Sequence, residues 1–183
     1  LAGKRAYEMA GIGPKDIDVA EVHDCFTIAE MMAYEDLGFA EPGKGKELIR
    51  NKETYKDGKI PVNVDGGLLS KGHPIGAPGG SQIRTIVLQL RGEAGDMQVP
   101  DAKIGLVHNI GGVGIYGNVS IFSAEKSPLR RTEIPCYIGN NVLCPGTICR
   151  IFCYLPRFRV CHQQQGRVIQ HLLEMHTKPA DIR

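Results

Sequence analysis

Residues 66–79, Gly-Gly-Leu-Leu-Ser-Lys-Gly-His-Pro-Ile-Gly-Ala-Pro-Gly, constrain the fold more than any other stretch. Glycine and proline at this density break a helix or a strand. A loop is therefore expected between an extended entry, Ile60-Pro61-Val62-Asn63-Val64, and the helical periodicity of Ser81 to Leu90 (Ile83, Ile86, Val87, Leu90). The loop carries Gly72-His73-Pro74, and an imidazole held there can polarise a thioester or deprotonate a thiol. Two other polar words, His23-Asp24-Cys25-Phe26 and residues 108–114 (HNIGGVG), each follow a short apolar run that reads as a strand. Three strand-end loops converging on one pocket is how open α/β enzymes build sites.

The rest of the first two thirds fits that plan. Leu1 to Met9 spaces Ala2, Ala6, Met9 and Ala10 along one helical face, and Gly11 to Pro14 stops it. Ile17 to Val22 is a buried strand. Thr27 to Leu37 follows as a helix, with Ile28, Met31, Met32 and Leu37 at helical spacing and Asp24 or Thr27 as its cap. Residues 42–59 read as a charged surface excursion with a short helix around Glu47 to Thr54. Lys103 to His108 and Ile115 to Phe122 form a hairpin-like pair of strands. The order predicts an α/β fold, a mixed sheet covered by helices on both faces.

Charge and cysteine divide the chain. Residues 1–126 carry 14 Lys+Arg against 17 Asp+Glu, whereas residues 127–183 carry 8 against 3. Cys25 stands alone in the first part, while Cys136, Cys144, Cys149, Cys153 and Cys161 crowd the second. Two units are expected, 1–126 and a basic, Cys-rich, irregular extension, 127–183. Zinc is weakly indicated in the extension, by Cys144, Cys149, Cys153 and Cys161, because their spacings lack paired CxxC knuckles. A degraded zinc ribbon and a frameshifted or poorly ordered segment both fit. Without interleaved aromatic and basic residues, the basic extension is not read as a nucleic-acid binder. The apolar runs are too short and interrupted for a membrane span, and Leu1 to Arg5 lacks the plan of a signal peptide, so a cytoplasmic protein is expected. Leu1 in place of an initiator methionine suggests that it is not a natural start.

Glu-Val-His-Asp-Cys-Phe at 21–26, GGLLSKGHPIGA at 66–77, QLRGEAG at 89–95 and KIGLVHNIGG at 103–112 occur in one order at plausible separations. Together they resemble the C-terminal half of a thiolase, of the sterol-carrier-protein type and its archaeal acetyl-CoA acetyltransferase relatives. The resemblance covers residues 1 to about 126 and is silent on the extension. It implies a thiolase-like C-terminal domain and acyl transfer between CoA thioesters, with CoA as cosubstrate and no other cofactor. The nucleophilic cysteine of that chemistry belongs to an N-terminal half with no counterpart here, so this chain alone is expected to be catalytically incomplete.

The resemblance also implies roles. His73 activates the nucleophile and donates to a thioester oxygen; its structural alternative is a histidine in a tight turn. His23, in HDCF, takes the place of the asparagine that holds an oxyanion-hole water, or else packs at a strand end. Aligned on the glycines, Asn109 stands where most thiolases have an acid–base cysteine, and asparagine cannot abstract a proton. The role then passes to Cys25, expected to have a lowered pKa between imidazoles near a helix N-terminus. Its alternative is a small buried apolar residue. Gly111 contributes a backbone N–H to the second oxyanion hole, and His108 either faces the pocket or orients its neighbours.

Acyl-CoA substrates, an N-terminal thiolase half and a homo-oligomer are the implied partners. In archaea the family implies, in addition, a zinc-ribbon/OB-fold protein and hydroxymethylglutaryl-CoA synthase of the mevalonate route. A non-catalytic acyl-CoA or lipid-binding scaffold of the same fold is the rival reading.

Overall fold

The computed structural model describes residues 1–112, 114–124 and three strands beyond them, 136–138, 141–143 and 159–164. Its centre is a mixed sheet. Strand β1 (Val19–Glu21) pairs in parallel with β2 (Ile104–Gly111), which turns back as an antiparallel partner of β3 (Tyr116–Ser123). A parallel pair needs a crossover, and the helices between β1 and β2 supply it. Val62 bridges to Ala20 on the outer side of β1, so Ile60 to Val64 runs extended as its sequence suggests.

Helices lie on both faces, as expected. Helices α1 (Ala2–Ala10), α2 (Thr27–Asp36) and α3 (Gly45–Arg50) cover one, and α5 (Pro78–Arg91) covers the other. Side chains on a strand alternate between faces, and the two cores follow that period. Ala20, Val22, Leu106, Val119 and Ile121 join Ala6, Ala10, Tyr34 and Leu37 on the first face. Val19, Val107 and Phe122 join Ile86 and Leu90 on the second.

Several local expectations need correction. Ile28 and Met32 are each 56% exposed, and α2 instead buries Ala33 and Tyr34, with Leu37 just past its end. Helical spacing identifies a stripe; the docking angle decides which stripe points inward. Neither Asp24 nor Thr27 caps α2, which starts after Phe26 with no side-chain cap. The short excursion helix begins at Gly45 rather than Glu47, and the helix expected from Ser81 begins at Pro78, whose fixed φ suits a first turn.

The glycine-crowded loop also holds a helix, α4 (Gly67–Lys71). Asp24 creates it. Its carboxylate accepts the N–H groups of Leu68 at 2.7 Å and Leu69 at 3.4 Å, donors that a helix start leaves unpaired. Gly67 must be glycine, because its φ is +62° and a Cβ would lie on that carboxylate.

Of the extension, expected to be irregular, the described residues form three short strands. Strands β4 (Cys136–Ile138) and β5 (Asn141–Leu143) pair with each other, and β6 (Arg159–Gln164) pairs antiparallel with β3. The expected boundary at 126/127 and the weak zinc candidates Cys144, Cys149 and Cys153 lie outside the described residues; Cys161 falls on β6.

Candidate active site

Two loops and the end of β2, at one end of the sheet, carry the residues singled out from the sequence. β1 runs out at Glu21, and Val22 N–H is taken at 2.8 Å by Asn63 Oδ1, whose Nδ2 donates to Glu30 of α2 at 3.2 Å. Asn63 adopts a left-handed backbone (φ 50°), a conformation asparagine tolerates better than most residues. This latch fixes the chain immediately before His23, and nothing in the sequence reading anticipated it.

His23 is buried, and its ring meets that of His73 edge-to-face, with centroids 4.9 Å apart and planes at 82°. His73 itself is exposed, two residues beyond the end of α4. Asp24 joins the two loops through its bonds to α4. Cys25 is half-buried and free, two residues before α2 begins.

The loop expected at residues 108–114 is strand as far as Gly111, and β2 itself brings His108 near His23. Burial, then the neighbouring His23, pushes the His108 imidazole down to about 4. Burial, then His73, likewise lowers His23, partly opposed by Asp24. Both rings are therefore neutral at physiological pH, and the Nδ1 of each is buried without a hydrogen-bond partner among the described residues. Buried, unpaired polar atoms are costly, and they cluster here where a substrate or water would complete them.

Asn109 is held away from free contact. Its Nδ2 donates to Gln82 Oε1 at 2.8 Å, while Gln82 Nε2 donates to the His108 carbonyl at 3.2 Å. Gln82 is fully buried on α5 and was not foreseen from the sequence. A polar residue on the inward stripe of an amphipathic helix is the signal that could have found it. Gly111 ends β2 opposite Tyr116, with open space where a side chain would project. Among the described residues no group of three or more His, Cys, Asp or Glu side chains is arranged to hold a metal ion.

The family model "Thiolase C-terminal domain-like" matches residues 1–124. The chain belongs to that family. The acetyl-CoA acetyltransferase of Methanothermobacter thermautotrophicus is 52% identical over 122 residues, covering 67% of this chain and 32% of the relative. Sterol carrier protein 2 of Oryctolagus cuniculus is 50% identical over 110 residues, covering 60% of this chain and 20% of the relative. The benzoylsuccinyl-CoA thiolase subunit BbsB of Thauera aromatica is 44% identical over 107 residues, covering 58% of this chain and 28% of the relative. Among solved structures, the Ltp2-ChsH2(DUF35) aldolase superposes with a TM-score of 0.54 at 30% identity, covering 58% of this chain and 27% of that one. The chain thus spans a third or less of the length of these relatives. The mixed sheet with helices on both faces is the thiolase-like fold expected from the motifs. Among the described residues no helix is long and apolar enough to cross a membrane.

Proposed function

We propose that this chain supplies the C-terminal catalytic half of a thiolase-type acyltransferase acting on CoA thioesters. The observation that carries the reading is the edge-to-face contact of His23 and His73 at 4.9 Å, made by two loops 50 residues apart in sequence. In the proposed reaction the Cys25 thiolate takes an α-proton from acetyl-CoA and becomes a thiol. His73 and a water on His23 donate to the resulting enolate oxygen. The enolate carbon attacks an acyl group carried as a thioester on a cysteine of the N-terminal half; the carbon–carbon bond forms and that cysteine leaves as thiolate. His23 held neutral by burial suits it to donate a hydrogen bond without taking up a charge. The Gly111 N–H is assigned to the acyl-enzyme oxyanion, with His108 and Asn109 lining that side. No cofactor beyond CoA is invoked.

Each site loop also carries exposed apolar side chains: Phe26 beside Cys25, Ile75 beside His73, and Ile115 and Tyr116 beyond the His108 strand. Such a rim supports coverage of the site by the N-terminal half. A homo-oligomer, a zinc-ribbon/OB-fold partner and a mevalonate-route synthase belong to the same proposal.

The test is α-proton exchange of acetyl-CoA in heavy water by this chain assembled with an N-terminal thiolase half. Exchange and acetoacetyl-CoA cleavage are expected, the exchange lost in Cys25→Ala and the cleavage in His73→Ala. Full activity of the His73→Ala assembly refutes the assignment. The matches named sterol carrier protein 2, and "Non-specific lipid-transfer protein-like 2" of Caenorhabditis elegans, favour one second reading, a non-catalytic acyl-CoA or lipid-binding domain. Acyl-CoA binding without any exchange would select it.

A further inference from the structure

Beneath α4 lies a cluster of charge that the proposed chemistry does not use. Glu21, the last residue of β1, has no accessible surface, and neither carboxyl oxygen has a hydrogen-bond donor among the described residues. The Lys71 ammonium stands 3.7 Å from Glu21 Oε2 but is engaged by Asp65. Asp65 also accepts from Thr85 Oγ1 of α5 at 2.5 Å and from Gly67 N–H at 3.0 Å. Glu21 and Asp65 stand at the same Lys71 ammonium, and the charges of Asp65 and Asp24 both act on Glu21.

Two carboxylates, one of them fully buried, beside one partly exposed ammonium leave a negative charge uncompensated at the buried end, and a single proton resolves it. Asp65 already has three donors and stays ionised: its burial opposes this, but Lys71, Thr85 and Gly67 together hold its carboxyl below the usual range. The proton therefore resides on Glu21, which then gains the partner it lacks when ionised. Burial, then the charge of Asp65, pushes Glu21 up to about 9, with Lys71 opposing.

We propose that neutral Glu21, donating its proton to Asp65, is a positioning residue for His73: it completes a one-proton clamp that fixes Lys71 at the end of α4, two residues before the imidazole. The exposed His73 ring is placed largely by the backbone that carries it. That backbone is α4, pinned in front by Asp24 at Leu68 and Leu69 and behind by Lys71. Gly72, at φ 96°, follows directly and adds no side chain to fix the turn. Loss of the Glu21 proton puts a second negative charge on the clamp, draws Lys71 from Asp65 and frees the end of α4.

The importance of this device rests on the reading of His73 as a reacting group, but its geometry does not, so the test reads the geometry. In the full 183-residue chain, histidine side-chain resonances are followed by NMR from pH 5 to pH 10.5. His73 is expected to show an alkaline inflection near the Glu21 value. In Glu21→Gln, whose carboxamide N–H replaces the carboxylic O–H, the inflection is expected to vanish while the pH 7 spectrum is retained. In Lys71→Met the His73–His23 ring contact is expected to be lost while signals from the α1–α2 core stay put. No alkaline inflection in the wild type, its survival in Glu21→Gln, or an unchanged ring contact in Lys71→Met overturns the proposal. If Glu21→Gln does not fold, Lys71→Met decides. Failure of the acetyl-CoA exchange assay would instead overturn the function and leave the clamp standing.

Discussion

The two faces of the sheet are built to different rules. On the α1–α2 face an apolar cluster is accompanied by a few polar ties, among them the Tyr7 hydroxyl donating to the Leu37 carbonyl at 3.0 Å and Asn63 donating to Glu30 of α2 at 3.2 Å. On the other face α5 buries Gln82, Thr85 and Gln89 beside Ile86 and Leu90. Each of these polar residues holds a different segment. Gln82 holds the end of β2, Thr85 holds Asp65 below α4, and Gln89 accepts from Val99 N–H at 2.8 Å and donates to the Met97 carbonyl at 2.7 Å. Apolar contact is non-directional and supplies stability, whereas hydrogen bonds fix direction. One face chiefly holds the domain together and adds one tie, from Glu30 of α2 through Asn63, to the chain before His23; the other places α4 and the end of β2.

The largest effect should come from the apolar face. Leu106 has no accessible surface, and Leu106→Ala should cost about 2–5 kcal/mol by chemical denaturation. The His23–His73 ring contact should survive in the fraction that stays folded. A loss under about 1 kcal/mol would break the division of labour proposed for the two faces.

Gln82→Ala should come next, at about 1–3 kcal/mol, because it leaves the His108 carbonyl and the Asn109 amide without their partner. Alanine is the better helix former, so propensity cannot cause the loss. Here the His108 and Asn109 resonances should move, which Leu106→Ala should not make them do.

The pH dependence sharpens the same contrast. Glu21 has a raised pKa in the fold, so the stability it gives is full below the ordinary carboxylate range and is lost as pH rises toward about 9. His23 and His108 are lowered, so their contribution is present above the ordinary imidazole range and is lost as pH falls, for His108 toward about 4. Stability should therefore peak between these limits, with a slope of at most about 1.4 kcal/mol per pH unit for each proton. Glu21→Gln should flatten the alkaline limb and His108→Gln the acid limb, measured as denaturation midpoint against pH. A variant that flattens the opposite limb would reverse the assignment.

The sequence was more legible in its elements, on both faces, than in the contacts that join them. Period and composition located β1, β2, β3, α1, α2 and α5, since alternation and helical spacing report directly on one buried side. The motifs also located His23, Cys25, His73 and Gly111 at strand and helix ends. What stayed hidden depends on contacts between distant residues. Helix α4 exists because Asp24 caps it from 44 positions away, and Asn63 latches β1 from 41. Neither leaves a local pattern. Glu21 did leave one, a charge between Ala20 and Val22 in an apolar run, and a charge buried in a strand calls for a partner elsewhere.

The smallest effect should fall on the stripe where periodicity misled. Ile28 and Met32 are spaced as core residues yet are 56% exposed, while the same helix buries Ala33 and Tyr34. Glutamine forms helices at least as well as isoleucine and about as well as methionine, so Ile28→Gln and Met32→Gln remove apolar surface without weakening α2. Most of that surface already faces water, so each change should move stability by no more than about 0.5 kcal/mol in this chain. The Leu106→Ala loss, several times larger for a comparable change in apolar bulk, is the control. If either glutamine variant instead cost more than about 2 kcal/mol, that stripe would be covered within the chain itself, and α2 would bury two faces rather than one. If both are neutral here but weaken assembly with an N-terminal thiolase half, the exposed stripe of α2 is part of the surface that the half covers.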